Sequence, residues 1–349
     1  MNSEEYREDI EVEENEDQED ENFKLNKYDI SAYPADYTIK TLLEKFEKTI
    51  IVPEFQRRYV WGADITKQSR LIESFLLRLP VPQIFLFQKK DDKNMLIIDG
   101  FQRVNTLRKF YKDKLSLKGV QEQWIDKKYS ELDEIEQEEL DNSTLRAIII
   151  RQIEPDNDNS SMFYIFERLN TGGVTLSPME IRKAIFYGNF YNMLEELNND
   201  NNWKLITGKK TVDNRLRDIE WLLRISSFLC EDFNLYQSPM KDYLNSFMNK
   251  NAKLNQTDLY NLLKNTFEII VNELGIRPFH IPKKRLNIAA MDAIIVYLAK
   301  NIDKNIDLKT TYRRIIKDVK FIEYITARDT SKTDGLKKRF KLVESYFDE

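Results

Sequence analysis

The sequence predicts an α+β fold in which a small mixed sheet near the N-terminus precedes an α-helical region. Four short apolar runs, at residues 50–52, 84–87, 95–98 and 145–150, have the length and composition of buried β-strands. From about residue 160 onward, nearly every segment has the 3.6-residue apolar period of an amphipathic helix. The 349 residues include only nine glycines and nine prolines, which disfavours a loop-rich or all-β architecture.

Helices are predicted on either side of the first strand. The first helix has apolar residues at helical spacing, namely Ile39, Leu42, Leu43 and Phe46. A second helix runs from about Asp64 to residue 79, and Pro80 ends it because proline disrupts helical hydrogen bonding. The two helices therefore flank the strand at 50–52.

A β-hairpin follows the second helix. Strands at 83–88 and 95–98 are separated by the polar turn Asp91–Asn94, which is typical of a hairpin. A further helix runs to about residue 113, and an acidic surface helix is expected at 130–141. The apolar run at 145–150 then adds another strand to the sheet.

Helices account for the remainder of the chain. They are predicted at 160–169, 178–187, 213–230, 237–250, 257–274, 286–301, 307–318 and 330–346. We therefore expect a disordered acidic tail at 1–22, a sheet-containing domain at 23–155 and an α-helical domain at 156–349.

The composition excludes several classes of site. One histidine, His280, and one cysteine, Cys230, are too few for a His/Cys nuclease site, a catalytic triad or a histidine-based metal cluster. No apolar run approaches the roughly 18 residues that span a bilayer, and the N-terminus is acidic rather than signal-like. We expect a cytoplasmic protein without a membrane segment.

Charge is distributed unevenly, although the net charge of the whole chain is only −5. Residues 1–21 contain 12 acidic residues and one arginine, which leaves 53 basic and 47 acidic residues, a net +6, in the remainder. The acidic segment is typical of a disordered, solubilising tail. The mildly positive remainder is compatible with nucleotide or nucleic-acid binding but is weak support for it.

The most informative segment is Asp99-Gly100-Phe101-Gln102-Arg103, which lies between an apolar strand and a helix. A glycine at this place leaves helix N-terminal N–H groups exposed to an anion, and the helix dipole favours negative charge there. The Arg103 guanidinium suits phosphate oxygens, and the Asp99 carboxylate suits a metal ion or a polarised water. An ordinary N-terminal turn with a surface arginine is the alternative interpretation.

Two more polar clusters stand among apolar residues. Gln56-Arg57-Arg58 precedes Tyr59 and Trp61, and this mixture of cations and rings suits a phosphate with a stacked base. The segment 166–176 carries Glu167, Arg168 and Asn170 before a glycine pair. For the first cluster the alternative is a set of core anchors with surface charges. For the second it is a purely structural role, in which the segment ends one helix and begins another. The next residues, Ser177 to Glu180, form a capping box that begins a new helix.

Taken in order, these three segments resemble the N-terminal domain of GmrSD-type type IV restriction endonucleases. The resemblance rests on Pro53-x-Phe55-Gln56-Arg57-x-Tyr59-x-Trp61, Asp99-Gly100-Phe101-Gln102-Arg103-x-x-Thr106-Leu107 and Phe166-x-x-Leu169-Asn170-x-Gly172-Gly173-x-x-Leu176. Three later segments, Asp213–Arg224, Lys241–Asn245 and Lys283–Asn287, are similar to the helical region of that family. The resemblance implies a ParB/sulfiredoxin-like nucleotide-binding domain at 23–155.

The resemblance also implies binding and hydrolysis of a nucleoside triphosphate with Mg²⁺ in bacterial defence against modified phage DNA. In that family an Asp-Gly-Gln-Gln-Arg turn holds the triphosphate, which assigns catalytic roles to Asp99, Gln102 and Arg103, with Asp99 also a metal ligand. The nucleotide-binding residues would be Gln56, Arg57, Gly100 and Asn170.

Two features of the chain depart from the family pattern. Phe101 replaces the first glutamine of the turn, so one polar contact is missing. Members of the family that cut DNA usually carry a C-terminal His-Asn-His nuclease domain, which a chain with one histidine is expected to lack. Any cutting would then come from a partner nuclease or from an unrecognised carboxylate site.

Three functions remain open at this point. The leading hypothesis is a nucleoside-triphosphate hydrolase of a restriction-like defence system, with DNA as a possible partner. The second is a non-catalytic DNA- or protein-binding module with a vestigial nucleotide pocket. The third is a metal-dependent DNA nickase in which Asp99 and either Glu54 or Glu167 hold the metal. The amphipathic C-terminal helices also leave room for a homodimer.

Overall fold

The computed structural model describes residues 28–52, 60–88, 92–155, 160–169, 176–282, 284–304, 306–328 and 330–348. Contacts divide these residues into two compact units, one within Asn22–Thr175 and one within Leu176–Glu349. We call them the sheet unit and the helical unit. The predicted combination of a mixed sheet with a following helical region is confirmed.

A five-stranded mixed sheet forms the centre of the sheet unit. Its strands are β1 (Asp29–Thr38), β2 (Ile50–Ile51), β3 (Ile84–Gln88), β4 (Met95–Asp99) and β5 (Thr144–Glu154), in the order β1-β5-β3-β4-β2. The β1/β5 and β3/β4 pairs are antiparallel, whereas the β5/β3 and β4/β2 pairs are parallel. The predicted hairpin of β3 and β4 is confirmed, and the strand predicted at 145–150 extends over 144–154 inside the sheet.

Strand β1 has no counterpart in the sequence prediction. It contains Pro34, which lacks a backbone N–H and is tolerated in an edge strand, and its side chains are mostly half-buried. It nevertheless pairs with β5 from Asp29 opposite Glu154 to Thr38 opposite Thr144. Strand β1 therefore forms because it pairs with a strand more than 100 residues away, and not because of its own local strand propensity.

In the described part of the sheet unit, five helices accompany the sheet: α1 (Ile39–Lys48), α2 (Ile65–Leu76), α3 (Phe101–Tyr111), α4 (Glu134–Asn142) and α5 (Ser160–Leu169). The core of the unit joins the apolar faces of α1, α2 and α3 to the sheet through fully buried side chains such as Ile39, Ile72, Val104, Leu86 and Ile97. Helix α5 contacts β4 and so lies in the sheet unit, although the sequence prediction assigns residues 156–169 to the helical domain.

The described part of the helical unit contains ten helices. They are α6 (Pro178–Ile185), α7 (Asn189–Asn198), α8 (Asn201–Thr207), α9 (Arg217–Cys230), α10 (Met240–Asn251), α11 (Thr257–Leu274), α12 (Ile288–Lys300), α13 (Leu308–Ile315), α14 (Val319–Thr326) and α15 (Thr333–Asp348). The capping box predicted at Ser177 and Glu180 is present at the start of α6. Helices α7, α8 and α14 have no counterpart in the prediction. None of the helices in the described ranges is both long and apolar enough to cross a bilayer.

Helix α12 is buried along almost its whole length, from Ala289 to Ala299. It brings one carboxylate, Asp292, into the interior, where it forms ion pairs with Arg224 of α9 and Arg339 of α15. Asp292 and Arg339 are fully buried. This ion-pair cluster connects helices α9, α12 and α15.

Candidate functional site

The turn between β4 and α3 is shaped by Gly100. This residue has φ +99° and stands between Asp99, the last residue of β4, and Phe101, the first residue of α3. A Cβ atom at this position would lie 2.3 Å from Cγ2 and 2.7 Å from Cβ of Ile84. Both the backbone conformation and the contact with β3 therefore require glycine. As the N-cap residue of α3, Gly100 has no side chain that could accept a hydrogen bond from the N–H groups of the first turn.

Arg103 lies one helical turn after Asp99 and forms an ion pair with it. The Arg103 Nη2 atom donates to Asp99 Oδ2 at 2.7 Å and to the Gln83 carbonyl oxygen at 3.0 Å. The Arg103 side chain is 16% exposed and that of Asp99 is 44% exposed. The Arg103 Nε atom is buried and has no hydrogen-bond partner among the described residues. The guanidinium is thus held in one orientation, while the carboxylate is open to solvent.

Gln102 links this turn to the end of the aromatic-rich segment predicted around residue 57. Its Oε1 atom accepts a hydrogen bond from the Trp61 backbone N–H at 3.3 Å. The Trp61 carbonyl oxygen in turn accepts from Gln68 Nε2 of α2 at 2.6 Å. Two side-chain amides therefore fix the Trp61 main chain between α2 and α3.

Phe101 shows what replaces the missing polar contact of the family motif. Its side chain is 8% exposed, and its ring stacks on Phe46 of α1 with centroids 6.4 Å apart and planes inclined by 23°. An aromatic pair of this kind stabilises the packing of two helices. Where the resemblance implies a glutamine, Phe101 therefore provides apolar contact between α1 and α3.

The other residues predicted to line the cleft are not placed. Gln56, Arg57 and Asn170, like Glu54, lie outside the described residues, so their roles stay predictions. Glu167 lies on α5. Within the described ranges, no three or more His, Cys, Asp or Glu side chains form a group that could hold a metal ion. A single carboxylate such as Asp99 fits Mg²⁺ that is bound mainly by substrate phosphates and water.

A groove of about 780 Å³ lies along another flank of α3. Its walls include Phe46 and Glu47 of α1, the aliphatic side chains of β2, and three residues of α3, namely Phe101, Asn105 and Arg108. The groove does not follow from the sequence patterns, because its lining comes from three separate elements. The only signal in the sequence is the spacing of residues 101, 105 and 108, which places them on one face of a helix.

One family of known proteins matches part of the chain. Residues 39–187 match the family described as GmrSD restriction endonuclease, N-terminal domain. The match runs from α1 to α6, contains the Asp99–Arg103 turn, and supports a role in type IV restriction-like defence. No curated protein and no solved structure matches the chain. The similarity noted for segments beyond residue 187 stays a prediction. Residues 39–187 are therefore similar to the N-terminal domain of GmrSD restriction endonucleases.

Proposed function

We propose that the chain binds a nucleoside triphosphate as its Mg²⁺ complex and hydrolyses it within a type IV restriction-like defence system. The observation that supports this most is the turn itself. It places a carboxylate, a left-handed glycine and a fixed guanidinium at the N-terminus of a helix whose N-cap residue has no side chain. These are the groups that polyphosphate recognition requires.

Arg103 is proposed to neutralise charge on the terminal phosphate. Its guanidinium is already oriented by Asp99 and by the Gln83 carbonyl, so little side-chain freedom is lost when it binds an anion. Donors that are fixed before the reaction stabilise a developing negative charge without reorganising. In phosphoryl transfer this electrostatic contribution is the main role left to the protein.

Asp99 is proposed to hold Mg²⁺ or to orient the attacking water. In the structure its charge is balanced by Arg103. When the Mg²⁺ complex binds, Arg103 would contact phosphate and Asp99 would contact the cation, so that both charges stay balanced. Mg²⁺ supplies charge neutralisation at the phosphate oxygens.

Gln102 is proposed to act in catalysis and also to hold the Trp61 main chain at the edge of the site. Gln56, Arg57, Gly100 and Asn170 are proposed to complete the nucleotide-binding cleft. Nucleotide hydrolysis would then be coupled to DNA and to a partner nuclease that cuts it. Self-association through the C-terminal helices is a separate part of this proposal.

The proposal is tested by measuring phosphate release from ATP, GTP, CTP and UTP with Mg²⁺. Arg103→Ala should lower turnover by about 100-fold or more, because removal of one fixed donor to the transition state commonly has this effect. The matched control is Arg146→Ala, which removes an arginine that is ion-paired with Asp36 in the same unit. That control should keep wild-type turnover.

Other outcomes would overturn the assignment. Unchanged turnover by a folded Arg103→Ala protein would exclude the proposed role of the turn. No nucleotide binding by calorimetry at millimolar concentration would favour the non-catalytic binding module. Plasmid nicking that needs Mg²⁺ or Mn²⁺ but no nucleotide, and that is lost in Asp99→Asn, would favour the nickase.

A further inference from the structure

The groove along α3 contains an amide side chain. Asn105 is 8% exposed and lines the groove. As a lining residue it can offer its amide to a ligand in the groove. The Asn105 side chain carries both a carbonyl acceptor and an amino donor, so its natural complement is a planar group with one donor and one acceptor.

The rest of the lining fits a flat aromatic ligand. The Phe46 and Phe101 rings stack on each other at one wall, and the aliphatic side chains of β2 complete the apolar surface. Arg108 is a charged residue in the lining of the groove. Its Cζ atom lies 6.0 Å from the Phe46 ring centroid, and its Nε atom is buried without a hydrogen-bond partner among the described residues. Glu47 Oε1 lies 3.6 Å from Arg108 Nε and also accepts a hydrogen bond from Lys112 Nζ.

We propose that this groove binds a nucleobase, with the Asn105 amide pairing to the base edge and the phenyl rings packing against the base. Amide side chains pair with base edges through one donor and one acceptor, and aromatic side chains stack with any base. The volume of about 780 Å³ lies in the range of small-molecule sites and accommodates a base with its sugar.

The position of the groove connects it to the proposed nucleotide site, and in this respect the inference rests on the proposed function. Phe101, Asn105 and Arg108 run from the first residue of α3 along one face over about 10 Å. By ideal helix geometry Arg103 projects about 200° away from Phe101 around the axis of α3, on the side opposite the groove. A nucleotide that used both sites would therefore place its phosphates across the N-terminal end of the helix. A base from unpaired DNA has the same chemistry and is the other source of ligand.

The test compares ligands that have a base with one that has none. Binding of the four nucleoside triphosphates, of inorganic tripolyphosphate and of a single-stranded oligonucleotide is measured by calorimetry for the full chain. The key variant is Asn105→Leu, which keeps the branched shape and the number of heavy atoms but removes the amide. The matched control is Thr106→Val, the next residue of α3, which is also buried and also loses a polar atom.

We expect Asn105→Leu to weaken binding of at least one nucleoside triphosphate by about tenfold and to leave tripolyphosphate affinity unchanged. Thr106→Val should bind all ligands as the wild type does. If the oligonucleotide, but no nucleotide or tripolyphosphate, binds in an Asn105-dependent manner, the groove takes a DNA base and the proposed nucleotide function fails. If nucleotides and tripolyphosphate bind equally well and Asn105→Leu changes neither, the base site is refuted while the proposed function stands. If no ligand binds, both are refuted.

Discussion

Gly100 offers the sharpest test of how the turn at the candidate site is built. In Gly100→Ala the backbone at φ +99° would carry a side chain in a conformation that costs roughly 1–2 kcal/mol for a non-glycine residue. The new methyl group would also overlap Ile84, which is fully buried in β3 and has little room to move. Overpacking of this kind costs roughly 1–3 kcal/mol, so the total loss is about 2–5 kcal/mol.

Gly119→Ala is the matched control, because Gly119 has φ +66° in the same unit but its nearest neighbour, Thr66 Cγ2, is 3.1 Å from the added methyl group. This change should cost roughly 1–2 kcal/mol, since only the backbone term applies in full. The assay is urea denaturation followed by circular dichroism, supported by thermal unfolding, in which the Gly100→Ala midpoint should fall by roughly 4–20 °C. Equal losses in the two variants would refute the argument that contact with Ile84 makes glycine necessary at the site.

Two further predictions concern stability. Asp292→Asn removes the carboxylate that balances the charge of the fully buried Arg339. It should therefore lower the free energy of unfolding by about 3–5 kcal/mol. A loss below about 1 kcal/mol in urea denaturation would contradict this prediction. Burial, together with a hydrogen bond to the Asp141 carboxylate, raises the pKa of Tyr129 to about 12. The folded state therefore holds the Tyr129 proton more tightly than the unfolded state, in which the tyrosine pKa is about 10. The protonated Tyr129 stabilises the fold fully below pH 10, and this stabilisation is lost as the pH rises from 10 to 12. Tyr129→Phe should flatten that decline in the urea midpoint measured from pH 9 to 11.5, and an identical decline in both proteins would exclude the effect.

The candidate site was only partly accessible from the sequence. The strand, glycine and helix around Asp99–Arg103 follow from local composition, because an apolar run, a residue free to adopt positive φ and a helical period are all encoded within about 15 residues. The partner of Arg103 at Gln83, the contact of Gln102 with Trp61 and the stacking of Phe101 on Phe46 join residues that are 20 to 55 positions apart. A pattern within a few neighbouring residues cannot predict contacts between positions so far apart in the sequence.

The same division applies to the whole protein. By itself the sequence determined the positions of most helices, the β3–β4 hairpin, and the motifs that point to the GmrSD family, since hydrophobic period and turn residues act over a few neighbouring positions. The tertiary structure alone decided that Asp29–Thr38 forms an edge strand, that β5 lies inside the sheet, and that Asn105 lines a groove with Phe46. These features depend on which distant segments pack together, because the free energy of burial is gained only when they meet.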